Sequence, residues 1–144
     1  MQTHAKAASA PARVINVDDR PPRGIDAPKP FNLRATRQNL LRNAIDAMND
    51  KVLKGVNNGV NGCGRSASQS AYEESFDLLF GTLDELEDIL GRQRYLCGAQ
   101  QTEADWRLYP NLVRFDSIFY IGYKCNLRRI VDYHHLWAYT RDLY

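Results

Sequence analysis

Thr102-Glu103-Ala104-Asp105-Trp106-Arg107-Leu108-Tyr109-Pro110-Asn111-Leu112-Val113-Arg114-Phe115-Asp116 is the stretch from which the architecture is most directly read. Thr102 is a residue type that starts helices, and an acid, Asp105, follows three positions later. In a capping box the Thr hydroxyl takes the amide of the third helical residue, whose acid reaches back to the Thr amide. Asp in place of the commoner Glu makes a short-armed version. The segment continues apolar through Ile118, Phe119 and Tyr120, which predicts a central, buried helix. Pro110 lies inside it, and a kink is expected there.

Helical periodicity extends outward from this segment in both directions. Towards the N-terminus, Ala71, Tyr72, Phe76, Leu79, Phe80, Leu83, Leu86, Ile89 and Leu90 recur at spacings of three and four, predicting a helix from Ser68 to Leu90. Glu73, Glu74, Asp77, Asp84, Glu85, Glu87 and Asp88 are read as its solvated side. Gly91 stands where a helix-ending glycine belongs, with Arg92 and Arg94 beside the negative end of the helix dipole. Earlier still, Leu40, Leu41, Ala44, Ile45, Met48, Val52, Leu53 and Val56 predict one apolar stripe on a helix from Arg37 to Val56. Asn57-Asn58-Gly59-Val60-Asn61-Gly62-Cys63-Gly64 then reads as a turn region, since glycine and asparagine favour turns over helix interiors. Beyond the central segment, Asn126–Val131 is expected to be a short helix and Leu136–Tyr144 a last one. No run alternates long enough for a sheet, so the fold class is all-α.

Residues 1–32 differ from the rest. Five of the six prolines fall here, and proline interrupts helix and sheet ladders. This segment is expected to be a disordered or loosely docked leader, with Val14-Ile15-Asn16-Val17 as its one apolar patch. Residues 33–144 form the predicted helical domain.

Composition narrows the function. The formal net charge is only +2, against a dedicated nucleic-acid binder. Basic excess lies early: residues 1–66 carry eleven basic and five acidic side chains, and residues 67–144 carry eight and twelve. No stretch has the apolar length of a membrane span, and the N-terminus lacks the apolar core of a secretory signal. A cytoplasmic protein is the expectation.

The three cysteines, Cys63, Cys97 and Cys125, form no Cys-x-x-Cys pair. His134 and His135 are adjacent and cannot share one metal from one helix face, so no metal site is expected. Cys63, in its glycine-rich stretch, is expected to be exposed but not catalytic. Cys97 and Cys125 are expected in or near the core. Asp105 resembles a catalytic acid beside Glu103, but its capping role accounts for it. Trp106, Tyr109 and Tyr123 are read as core aromatics that could also line an apolar ligand site.

Several blocks also resemble one known family. Val56-Asn57-Asn58-Gly59-Val60, Gln69-Ser70-Ala71-Tyr72-Glu73, Arg94-Tyr95-Leu96-Cys97-Gly98, Thr102-Glu103-Ala104-Asp105, Leu112-Val113-Arg114-Phe115-Asp116, Lys124-Cys125-Asn126 and Arg141-Asp142-Leu143-Tyr144 occur in an order and spacing similar to the C-terminal domain of the glutathionyl-hydroquinone reductases, also called Xi-class glutathione transferases. The resemblance covers residues 33–144 and not the leader. It implies a glutathione-transferase C-terminal helical bundle. It also implies a chemistry in which a cysteine of a thioredoxin-like N-terminal domain attacks a glutathionyl sulfur and a second glutathione resolves the mixed disulfide. Glutathione is the implied co-substrate, and a homodimer through the helical domain is the implied assembly. A thioredoxin-like domain acting in trans is a further implied partner.

The resemblance has gaps. No thioredoxin-like domain is recognisable in the 144 residues, so no catalytic residue is assigned. Where the family has a pocket tyrosine this sequence has Asn61, and where it has a phenylalanine this sequence has Arg65. The family also continues beyond the position of Tyr144. Asn61, Arg65, Trp106 and Tyr109 are the expected pocket-wall residues, and Thr102 and Asp105 the structural cap. The expectation is the C-terminal domain of a glutathione-dependent enzyme, inactive as this polypeptide. The alternative is a non-catalytic dimerisation or protein-binding module that reuses the same helices.

Overall fold

The computed structural model describes residues 33–144. The expected leader, with its Val14–Val17 patch, lies outside the described residues. Every named element among those described is helical. Helix α1 (Leu33–Lys51) passes through a π-helical segment (Val52–Asn57) into α2 (Asn58–Arg65). Helix α3 (Gln69–Leu90) runs back along it. Helix α4 (Glu103–Arg114) continues through a second π segment (Phe115–Phe119) into the single turn α5 (Tyr120–Gly122). A 3₁₀ turn (Ile130–Asp132) leads to α6 (His134–Leu143).

The glycine-asparagine stretch is helix rather than turn, which corrects the reading from sequence. Gly59 and Gly62 within it, and Gly55 just before it, face α3. A Cβ at Gly55 would stand 2.2 Å from Thr82 Oγ1, one at Gly59 2.9 Å from Leu79 Cβ, and one at Gly62 2.3 Å from Ser75 Oγ. These are sites where two helices touch backbone to side chain. Each glycine costs about 1 kcal/mol of helix propensity relative to alanine, and close packing on α3 offsets it. The extra residue of a π segment lets Val52, Val56, Val60 and Cys63 all turn inward.

The predicted α1 stripe is also corrected. Val52 and Val56 are buried, Ile45 and Met48 half-buried, and Leu40, Leu41 and Leu53 exposed. No residue of α1 itself is buried. The core instead centres on α3, where Leu79, Leu83 and Leu86 are fully enclosed. Burying each such leucine is worth about 1.5–3 kcal/mol. Ser68 caps this helix, its Oγ accepting the Ala71 amide at 3.3 Å. Gly91 ends it in right-handed geometry, and the left-handed turn comes later, at Gly98 (φ +123°). Arg94 reaches away to Asp142, 3.0 Å distant, rather than serving the helix end.

Two of the acids read as solvated are structural. Glu87 Oε1 and Oε2 accept the amides of His135 and Leu136, each at 2.7 Å. α6 is thus capped by another helix and begins two residues earlier than expected. Asp84 accepts the Tyr133 hydroxyl at 3.1 Å and pairs with Arg128 at 2.9 Å.

Helix α4 is one-faced rather than buried all round. Ala104, Asp105, Leu108 and Leu112 point inward, while Trp106 is 51% and Val113 42% exposed. The helix runs through Pro110, and α geometry is lost only at Phe115. The expected helix over 126–131 reduces to Ile130–Asp132. The amides there find carboxylates instead: Ile130 N–H donates to Asp116 Oδ1 at 2.6 Å and Arg129 N–H to Asp132 Oδ2 at 3.0 Å.

Candidate functional site

The capping box forms, and its carboxylate does more than cap. Asp105 Oδ2 accepts the Thr102 amide at 2.7 Å and the Thr102 hydroxyl at 2.9 Å. Oδ1 accepts the Leu96 amide at 2.9 Å and the Tyr139 hydroxyl at 2.8 Å. Asp105 is 0% exposed. One buried carboxylate therefore ties together the start of α4, the loop before it and α6. Burial and the adjacent carboxylate push the Tyr139 phenol up, keeping it protonated and donating. With its acceptor positions engaged in this way, Asp105 has the surroundings of a structural hub rather than of a general acid. The sequence carries the cap; Tyr139 as a partner 34 positions away carries no local signal.

The expected pocket-wall residues fall on two elements. Asn61 and Arg65 lie on α2, both exposed, and the Asn61 side-chain amide donates to the Asn57 carbonyl at 2.8 Å. Trp106 and Tyr109 lie on α4 with ring centroids 6.0 Å apart, edge to face. The two helical rods meet one turn before Asn61, where the Asn111 side chain donates to Asn57 Oδ1 at 2.6 Å. Tyr109 packs against the core, whereas Trp106 projects to solvent.

A cavity of about 400 Å³ beside α2 was not foreseen. Its wall includes Cys63, Gly64, Gln69, Tyr72, Tyr123 and Lys124, with the serines 66 and 68 at its edge. Cys63 is buried in α2, not exposed in a loop. Tyr123 is brought against α2 so closely that a Cβ at Gly64 would stand 2.6 Å from its ring. A second cavity, about 510 Å³, lies between α4 and α6 and is largely apolar, with Val113, Val131, Trp137 and Tyr144 in its wall and Arg141 at its side.

No thiol is activated. Burial pushes the Cys63 and Cys97 thiols up and the Cys125 thiol to about 12. Cys97 is half-buried and Cys125 fully buried, as the sequence leads one to expect. Among the described residues no group of three or more His, Cys, Asp or Glu side chains is placed to hold a metal ion. None of the described helices is long and apolar enough to cross a membrane.

Comparison with known proteins places this arrangement. Residues 69–142 match the family model described as glutathione S-transferase, C-terminal domain. The chain is 46% identical over 104 residues to the glutathionyl-hydroquinone reductase YqjG of Escherichia coli K12, covering 72% of this chain and 32% of that protein. It is 52% identical over 95 residues to the glutathionyl-hydroquinone reductase PcpF of Sphingobium chlorophenolicum, covering 66% and 30%. Among solved structures, glutathione-bound YqjG superposes with a TM-score of 0.72 at 45% identity over 74% of this chain and 34% of that one. The Xi transferase of Phanerochaete chrysosporium superposes at 0.71 with 48% identity, over 74% and 36%. The chain thus spans about a third of the length of these relatives. Helical fold and sequence converge: the chain belongs to the glutathione S-transferase C-terminal domain family, with glutathionyl-hydroquinone reductases as its relatives.

Proposed function

We propose that residues 33–144 serve as the helical domain of a glutathione-dependent thiol-transfer enzyme of the glutathionyl-hydroquinone reductase type, and that the 144-residue chain alone does not turn over. The observation carrying this reading is the state of the thiols. Reductive deglutathionylation needs a thiolate at neutral pH to attack the glutathionyl sulfur. Burial keeps all three thiols of this chain protonated there. A nucleophile and most of the glutathione site would come from a thioredoxin-like domain, in the same protein or in trans. In this reading Asn61, Arg65, Trp106 and Tyr109 form one wall of the aromatic-substrate pocket. The Asn61 amide, folded back on Asn57, leaves that wall without the phenol expected of the family. The setting is cytoplasmic, and nucleic acid and membrane are not partners.

A specific observation favours the second reading, a non-catalytic dimerisation or binding module. Leu33 is 73%, Leu40 64% and Trp106 51% exposed, more apolar surface than one solvated helix face needs. In either reading homodimerisation through the helices is the expected assembly.

Release of hydroquinone from a glutathionyl-hydroquinone in excess glutathione tests the proposal. The chain should give the no-protein rate. Turnover at the rate of a full-length reductase assayed alongside would overturn it. Recovery of turnover on adding a separate thioredoxin-like domain would favour the enzymatic reading over the module.

A further inference from the structure

We propose that the cavity between α4 and α6 binds a small apolar carboxylate of the substituted-benzoate class, its body seated against Val113, Val131 and Trp137 and its carboxylate on Arg141. The site is separate from the wall attributed to Asn61, Arg65, Trp106 and Tyr109, none of which lines it, and does not depend on a catalytic partner. It arises where α4 gives up α geometry at Phe115. In the π segment that follows, Asp116 Oδ1 accepts the Ile130 amide at 2.6 Å and Oδ2 the Val131 amide at 3.3 Å, which fixes the 3₁₀ turn beside the end of α4. Helix α6 supplies the third side. Leu112 and Ile130, 2% and 1% exposed, close the base. Val113, Val131 and Trp137, one from each element, stand around it at 42%, 41% and 39% exposure. Apolar side chains of three segments thus converge on about 510 Å³, within the ~300–1,000 Å³ of small-molecule sites.

The polar groups of the wall decide which ligand fits. The Thr140 hydroxyl donates to the Leu136 carbonyl at 2.7 Å, and the Ser117 hydroxyl to the Arg114 carbonyl at 3.4 Å. Asp116 has both carboxylate oxygens turned to amides. Arg141 differs from all three. It joins none of the ion pairs among the described residues, and Asp142 beside it pairs with Arg94 instead. Its Cζ lies 6.0 Å from the centroid of the Trp137 ring, so the indole holds the guanidinium at the rim of the cavity both residues line. An apolar space with one uncommitted cation at its edge selects an amphipathic anion. The apolar body leaves water against the valines and the indole. The guanidinium fork takes the carboxylate through two parallel N–H···O bonds. A neutral ligand forgoes the second contribution, and a compact inorganic anion forgoes the first.

The test is a ligand-observed fluorine NMR titration of the whole chain with para-trifluoromethylbenzoate and, separately, para-trifluoromethylbenzamide. The benzoate should bind, and the benzamide, with the same ring and no charge, should bind about tenfold more weakly. Arg141→Gln should weaken the benzoate by about the same factor and leave the benzamide unchanged, and Arg141→Lys should recover part of the loss. Val113→Trp, which fills the cavity from an exposed helix position, should abolish binding of both. Trp106→Ala should change neither affinity. Circular dichroism checks that each variant keeps its helices, and should Val113→Trp fail to fold, Arg141→Gln decides. No benzoate binding at millimolar concentration would overturn the proposal. So would equal affinities for benzoate and benzamide, or a loss on Trp106→Ala, which would put the ligand at the other wall. Affinity that falls as protein concentration rises would mean that a second copy fills the cavity, and would overturn it as well.

Discussion

At the scale of single residues, Asp105 stabilises more than its position in a helix cap suggests. The Thr-x-x-Asp spacing is enough to assign the cap from sequence. What spacing could not convey is that the same carboxylate accepts from Leu96 and Tyr139, because those partners arrive through the chain's return and not through local order. Thr102→Ala removes one hydroxyl while its amide keeps its acceptor, and should cost about 0.5–2 kcal/mol. Asp105→Ala leaves the Leu96 amide, the Thr102 amide and the Tyr139 hydroxyl without their acceptor in a closed core. Its cost should be larger, about 3–5 kcal/mol. Urea midpoints of the two variants check the order. Equal losses would mean that the hub adds nothing to the cap. Cys63 is the counter-example at this scale: its glycine neighbours suggested exposure, and helix packing buried it.

At the scale of elements, the same glycines separate what propensity can tell from what packing decides. The apolar spacing of α3 and its Ser68 cap are visible in the sequence because both are local. Gly55, Gly59 and Gly62 also recur at helical spacing, but glycine has no side chain to register as an apolar position. Their role appears only when α3 is laid against them. Substitution distinguishes contact glycines from free ones. Gly55→Ala places a methyl 2.2 Å from Thr82 Oγ1 and should destabilise by about 1–3 kcal/mol. Gly81→Ala meets nothing within 4 Å and should stabilise α3 by about 0.5–1 kcal/mol through helix propensity alone. Thermal melts followed by circular dichroism read both, and a stabilised Gly55→Ala would remove the close-approach account of the first rod.

At the scale of the molecule, the distribution of apolar side chains is the unusual feature. The enclosed core lies around α3, α4 and α6, yet α1 has no buried residue, and Leu33, Leu40, Leu41 and Trp106 face outward. The proposed homodimer would account for these outward-facing side chains by covering them. Sedimentation over a range of concentrations should therefore show a dimer or larger species. A concentration-independent monomer, of 16.5 kDa for the whole chain and proportionately lighter for residues 33–144, would mean that these side chains serve no such contact.

Helix existence, the all-α class, the Thr102 cap and the family blocks were legible in the residue string because each depends on neighbours within a few positions. Blocks such as Leu112–Asp116 also kept their meaning in three dimensions: Asp116 anchors the amides of Ile130 and Val131. The helical course of residues 57–65, the exposure of α1, the cap that Glu87 lends to α6 and the packing of Tyr123 on Gly64 depend on segments distant in sequence. Each is set by which surfaces close on one another and by the carboxylates and rings those surfaces bring along, and local propensity has no access to either.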